Sequence, residues 1–261
     1  MTPGLFLTLL VLAMFGGFVA GLLGVGGAVV MIPLLLYVPP ALGVGALGMK
    51  AVAGATMVQV FVAALAGMLA HRRHDAVNQE IAWVGGLSMA GASLVGALFS
   101  YWVPDRSLLV VFALMVTAAG LLVLVPVDPE PSRAVVERGR SSRLRTALVC
   151  CGVGAAAGLV GAGGAFLLVP LLHVVVRVPI HVAIGSSLAI AALGAVTGVV
   201  GKLVTGQIPY SAAAVMALGA VPGARLGAAV SRRLSAVHLK LALGLAILAI
   251  GIRVWLDVLT G

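Results

Sequence analysis

Four glycines fall within seven residues at Gly21, Gly24, Gly26 and Gly27, and the run 21–35 reads Gly-Leu-Leu-Gly-Val-Gly-Gly-Ala-Val-Val-Met-Ile-Pro-Leu-Leu. The run returns 137 residues later as Gly-Leu-Val-Gly-Ala-Gly-Gly-Ala-Phe-Leu-Leu-Val-Pro-Leu-Leu, with glycines at 158, 161, 163 and 164. Glycine at this density breaks a helix, and the proline that follows limits how the chain resumes. Unwound backbone offers N–H groups without helical partners. A helix that restarts at Ala28 or Ala165 also turns the positive end of its dipole into the gap. That chemistry suits an anion held without a charged side chain. Gly24, Gly26, Gly27, Gly161, Gly163 and Gly164 are therefore candidate substrate-binding residues. Close helix packing is the plainer account of the same glycines. It is the expectation for the GxxxG pairs Gly17/Gly21 and Gly154/Gly158.

The next apolar segment of each half carries matching polar side chains. At an offset of 131, Gly54-Ala55-Thr56-Met57 aligns with Gly185-Ser186-Ser187-Leu188. Thr56, Gln59, Ser186 and Ser187 join the candidate site, because hydroxyls and amides can donate to an oxyanion without the desolvation cost of a buried charge. Ordinary helix-to-helix hydrogen bonding is the alternative. All seven acidic residues (Asp75, Glu80, Asp105, Asp128, Glu130, Glu137, Asp257) fall in loops or near segment ends. No carboxylate is thus expected at mid-membrane to bind a cation or relay protons, which disfavours a cation carrier. Arg225 is the deepest basic residue, with Lys202 and Arg253 nearer segment ends, and snorkelling to the interface accounts for all three. His173 reads as a histidine satisfied by packing, with a role in the pore as its rival.

Other chemistries are excluded. No Gly-Lys-Ser/Thr follows the glycines, so the run is no phosphate loop, and the strand and acidic residue of a dinucleotide fingerprint are missing. No hydrolase or metalloprotease signature occurs. Cys150 and Cys151 are adjacent, at the start of an apolar segment, and make neither a metal cluster nor a disulfide framework. The expectation is a non-enzyme with no catalytic residue, no metal and no cofactor, driven by a gradient or a partner.

These residues need membrane helices to position them. Hydrophobic residues make up 62% of the 261 positions and charged residues 9%, far from the roughly 25% charged of a soluble domain. A formal net charge of +9 is no nucleic-acid surface, because the basic residues sit between apolar segments and orient them. Segments of about 20 residues or more can span, and such runs cover 3–38, 49–70, 81–101, 107–126, 146–176, 182–204, 209–231 and 236–259. Residues 1–20 lack a positive leader and are expected to be a retained membrane segment. The polar interval carrying Arg133, Arg138, Arg140, Arg143 and Arg145 reads as a linker. The domain expectation is a first transmembrane repeat over 1–126, a cytoplasmic arginine-rich linker over 127–145 and a second repeat over 146–261.

Charge placement decides how the repeats are oriented. If every run crosses once, nine Lys and Arg fall on the linker side and six opposite. If each glycine-broken run makes no net crossing, the linker side holds Arg72, Arg73, the five linker arginines, Arg177, Arg232, Arg233 and Lys240. The other side keeps Lys50, Arg106, Lys202 and Arg253. The second asymmetry is stronger. A 36-residue run would extend about 54 Å as one helix, too long for one crossing and too short for two full spans. The expected fold is therefore an all-α polytopic membrane protein with two inverted-topology repeats. Each repeat is a glycine-broken hairpin of shortened helices followed by three transmembrane helices, with the breaks meeting near the midplane and both termini outside.

The doubled Gly-Leu-x-Gly-x-Gly-Gly run with its Pro-Leu-Leu, followed by Gly-Ala-Thr or Gly-Ser-Ser and then by Gly96-Ala97 and Gly227-Ala228, resembles the sulfite exporter TauE/SafE family of bacterial membrane permeases. The resemblance covers nearly the whole chain apart from the linker. It implies a multi-pass carrier in the bacterial inner membrane for sulfite, organosulfonates or related anions. Members that move thiosulfate are understood to use cysteines along the path, and the placement of Cys150 and Cys151 departs from them. The functional expectation is a secondary transporter of small anions, most readily sulfite or organosulfonates, working by alternating access between the two breaks. The alternative is a non-transporting membrane scaffold or assembly factor. The expected partners are a small anionic substrate and the lipid bilayer, with no nucleic acid and with homo-oligomerisation left open.

Overall fold

A computed structural model of the chain describes residues 2–23, 27–71, 78–124, 139–231 and 236–260. Gly24, Gly26, Arg72, Arg73 and residues 125–138, which include 127–138 of the expected linker, lie outside the described residues. The described elements are α1 (Pro3–Leu23), α2 (Ala28–Ala41), α3 (Met49–His71), α4 (Gln79–Phe99), α5 (Asp105–Leu124), α6 (Gly139–Val160), α7 (Ala165–Val174), α8 (Ile180–Val204), α9 (Tyr210–Ser231) and α10 (Ala236–Thr260). No strand occurs among the described residues. In a bilayer each backbone N–H and C=O must be paired within the protein, and a helix does this within one segment. Among the described residues seven helices (α1, α3, α4, α5, α6, α8 and α9) are long and apolar enough to cross a membrane. The chain is an all-α polytopic membrane protein.

Each glycine run divides a long apolar stretch into two helices, α1 with α2 and α6 with α7. The expectation that both arms are shortened needs correction. α1 and α6 have 21 and 22 residues, against 14 and 10 for α2 and α7. At 1.5 Å per residue the outgoing arms reach about 32 Å, a full span, and only the returning arms are short. α6 also starts at Gly139, inside the stretch expected to be linker, so Arg140, Arg143 and Arg145 extend the helix.

Contacts at the helix ends define one face of the bundle. Thr2 Oγ1 donates to Val44 O at 3.5 Å, Met49 N–H to Asp105 Oδ2 at 2.8 Å, Lys50 Nζ to Tyr101 O at 2.8 Å and Arg106 Nη2 to Val258 O at 3.3 Å. The starts of α1, α3 and α5 thus lie with the ends of α2, α4 and α10. Lys202, near the end of α8, joins them by donating to Ser100 after α4 and to Leu159 near the end of α6. Gln207, just before α9, donates to Ser100 as well. From this face α1, α3, α5 and α9 run away, and α2, α4, α6, α8 and α10 run toward it. Lys50, Arg106 and Lys202 sit here, with Arg253 in the last turns of α10.

The halves interlock. α1 lies along α9 and α6 along α4, while α3 and α8 pack together between them. The GxxxG glycines make these crossings close, as expected. A Cβ on Gly17 would stand 2.5 Å from the Ala220 carbonyl oxygen, and one on Gly154 2.8 Å from that of Met89. In lipid, such close packing is a main source of helix association, because no hydrophobic effect drives helices together.

Candidate functional site

The second break is fully described. α6 ends at Val160; Gly161 N–H and Ala162 N–H both donate to Ala157 O, and α7 begins at Ala165. Gly163 and Gly164 have φ of 61° and 68°, the left-handed region where a side chain is disfavoured. A left-handed residue followed by a right-handed one, as Gly164 is followed by the helical Ala165, turns successive N–H groups to one side. Residues 161–166 are all buried, and Leu167 and Leu168 N–H return to Gly164 O. Among the described residues, the N–H groups of Gly163, Gly164, Ala165 and Phe166 have no acceptor.

Across from this break runs one face of α3. Gly161 lies against the Ala53 backbone and Gly163 against the Val60 side chain. Thr56 is three residues from Ala53 and four from Val60, which sets it on the same helical face between them. Its side chain is 0% exposed and its Oγ1 has no hydrogen-bond partner. Gln59 is also buried. Its Nε2 donates to Ala13 O at 3.4 Å, and its Oε1 is unpartnered. Gln59 therefore faces α1, in contact with the region of Gly16 and Met31.

The second-half hydroxyls are used differently. Ser186 Oγ accepts from Asn78 N–H at 3.2 Å, and Ser187 Oγ donates to Ile184 O at 2.9 Å. Both side chains are buried, so the structure unites them with the helix framework and leaves Thr56 unpaired. At the first break Gly27 is the N-cap of α2 with φ 73°, and Val30 and Met31 N–H return to its carbonyl. Gly24 and Gly26 lie outside the described residues.

Beside the second break is a residue whose place the sequence reading misjudged. Lys202 does not snorkel: it is 0% exposed. Its ammonium donates to Ser100 Oγ at 2.6 Å, Gln207 Oε1 at 2.9 Å and Leu159 O at 3.1 Å. Gln207 Nε2 donates onward to Thr205 Oγ1 at 2.8 Å. The available signal was the polar cluster Lys202, Thr205 and Gln207 at a helix end, with Ser100 at the corresponding end of another helix.

A family model described as Sulfite exporter TauE/SafE matches residues 9–254. The chain belongs to this family. A probable membrane transporter protein of Xylella fastidiosa strain Temecula1 is 32% identical over 241 residues, which cover 91% of this chain and 90% of that protein. Probable membrane transporter protein YunE of Bacillus subtilis is 24% identical over 265 residues, covering 94% and 96%. No solved structure matches the chain. This TauE/SafE protein is a multi-pass membrane protein of a transporter family.

The remaining candidates of the TauE/SafE chain separate clearly. Arg225 is exposed on α9 and so does not point into the bundle, and Arg253 is exposed with its guanidinium 4.3 Å from the Tyr37 ring centroid. His173 Nδ1 lies 2.9 Å from Val178 O, a local bond that accounts for it. The cysteines are misplaced in the sequence reading. Because α6 starts at Gly139, Cys150 and Cys151 fall half-way along it, Cys150 buried beside Gly85 and Ile190 and Cys151 exposed. Among the described residues no group of three metal-ligating side chains forms.

Proposed function

We propose that this chain is a secondary transporter of small anions, most readily sulfite or organosulfonates, in a bacterial inner membrane. One observation carries the reading: four N–H groups without acceptors, at buried residues Gly163 to Phe166, belong to a break that packs against α3, whose buried Thr56 hydroxyl is also unpartnered. Leaving buried polar groups unpaired costs roughly 1–3 kcal/mol each. An oxyanion would satisfy several of them at once through charge-assisted bonds. A sulfite or sulfonate head offers three oxygens, which matches a cluster of donors better than a single carbonyl would.

The arrangement of the helices supports a reading by alternating access. Corresponding helices run in opposite senses across the bundle: α1 against α6, α3 against α8, α4 against α9 and α5 against α10. This supports two inverted repeats with the glycine breaks of α1/α2 and α6/α7 as counterparts. The four basic residues Lys50, Arg106, Lys202 and Arg253 belong to the face with both chain ends, which is then the outside, and the arginine-rich linker belongs to the cytoplasm. Rocking of one repeat against the other would expose the site to either side. With no nucleotide-binding motif in its sequence, the chain would draw its energy from a gradient or a partner.

Flux of isotope-labelled sulfite into proteoliposomes tests this. Uptake above that of empty vesicles, reduced at least tenfold by Thr56→Val, is the expected result. Uptake no greater than in empty vesicles, for sulfite and for a panel of organosulfonates, would sink the reading and favour a scaffold role.

A further inference from the structure

Three helix C-termini converge on Lys202. α4 ends at Phe99 with Ser100 as its cap, α6 ends at Val160 and α8 at Val204. The last carbonyls of each helix lack intrahelical partners and carry the negative end of the dipole. The ammonium is fully buried among them, and its three donors are taken by Ser100 Oγ, Gln207 Oε1 and Leu159 O. All three are neutral oxygens. Two charged groups stand near the cluster: Lys50, bound to the carbonyl of Tyr101 next to Ser100, and Asp105, bound to the N–H of Met49 beside Lys50. Among the described residues no carboxylate pairs with Lys202; the described ion pair is Arg143 with Glu80, and it is at the surface. The hydrogen bonds of this lysine are satisfied by neutral oxygens, and no described carboxylate is bonded to it.

An unpaired charge inside a membrane protein is expensive and marks function by default. Here it adjoins the second break. Leu159 precedes Gly161 by two residues, and Gln207 lies against Gly54, next to the Ala53 that Gly161 touches. The matching position of the first half, 131 residues earlier, is His71, so the device belongs to the second repeat.

We propose that Lys202 is the fixed counter-charge of the anion site, acting through space on an anion held by the N–H groups of Gly163 to Phe166. This rests on the anion reading above. Because its donors are occupied, Lys202 raises the potential at the break without gripping the anion, and the anion can leave. In low-dielectric surroundings such an attraction extends beyond hydrogen-bonding distance.

Lys202→Met keeps most of the side-chain length and removes the charge, and Lys202→Arg keeps the charge. In proteoliposomes the KM for labelled sulfite is expected to rise about tenfold in the Met variant and to stay within about threefold in the Arg variant. The upward shift in melting temperature that sulfite gives the purified protein should be lost in the Met variant alone. Should the Met variant fail to accumulate, Lys202→Gln serves the same arm, its amide replacing hydrogen bonds without the charge. A merely structural lysine would lower the melting temperature without sulfite and leave both the KM and the sulfite shift unchanged; that pattern would overturn the proposal. Wild-type protein that neither binds nor moves sulfite or organosulfonates would remove the anion reading itself, and this assignment with it.

Discussion

Asp105 Oδ2 accepts a hydrogen bond of 2.8 Å from the Met49 N–H, so the first residue of α5 caps the first residue of α3 across 56 positions of sequence. A carboxylate here satisfies one orphan donor of α3 and faces the positive end of its dipole. α3 carries Thr56 and Gln59, so the bond also fixes the helix that lines the candidate site. Asp105→Ala should destabilise the detergent-purified protein by about 1 kcal/mol, and Asp105→Asn by less. Melting curves of the two variants check this; an Ala variant that melts with the wild type would show that the bond contributes nothing.

The glycines divide by what surrounds them. A Cβ on Gly154 would meet the backbone of Met89 at 2.8 Å, whereas one on Gly91 or Gly152 meets nothing within 4 Å. Gly154→Ala is expected to force α6 away from α4 at a cost of about 1–3 kcal/mol. Gly91→Ala and Gly152→Ala should be neutral or should stabilise by up to about 1 kcal/mol, since both replace helical glycine by alanine. The comparison needs only thermal denaturation of the three proteins, and equal melting temperatures would contradict the packing at the α4–α6 crossing.

Thr56 and Ser187 occupy matching places in the repeats but should answer differently to mutation. Thr56→Val removes a buried hydroxyl that has no partner, so stability should hold or rise by about 1 kcal/mol while sulfite flux falls. Ser187→Ala removes a bond to Ile184 O within the same helix and should leave flux within about twofold, because Ser and Thr bonds of this kind are local. Measuring flux and melting temperature on each variant separates the roles. A Thr56→Val protein with wild-type flux would take Thr56 out of the site.

Topology has its own test. The face that gathers the starts of α1, α3 and α5 with the end of α10 carries four basic residues, and α5 ends and α6 begins on the opposite side, so residue 261 and the expected linker should lie on opposite sides of the membrane. Reporter fusions after residue 261 and within 127–138 are expected to be active in complementary compartments. Activity of both on the cytoplasmic side would refute the inverted arrangement.

Much of the architecture was legible from local chemistry. Apolar runs long enough to span became helices, and Gly161 to Gly164 with Gly27 broke them at the expected places, because both effects depend on a few consecutive residues. The burial of Thr56, Gln59, Ser186 and Ser187 was legible as well, since polar residues inside an otherwise apolar spanning segment have to face protein. Less legible was the length of each element. Nothing apolar marks Gly139 to Arg145 as helix, so α6 begins before its apolar run and Cys150 lies half-way along it rather than at its start.

Sequence alone determined that this chain is built of membrane-spanning helices and that each glycine run divides a long apolar stretch into two helices, since composition, spacing and backbone propensity act over short range. The tertiary structure decided which polar groups are spent on the framework and which are left over. Ser186 meets the N–H of Asn78, 108 positions away. Lys202 meets Ser100 and Leu159. Thr56 meets no partner. Such pairings depend on how helices from the two halves cross, and a lysine one turn from a helix end snorkels or is buried according to whether other helices close over it. Here the ends of α4 and α6 do.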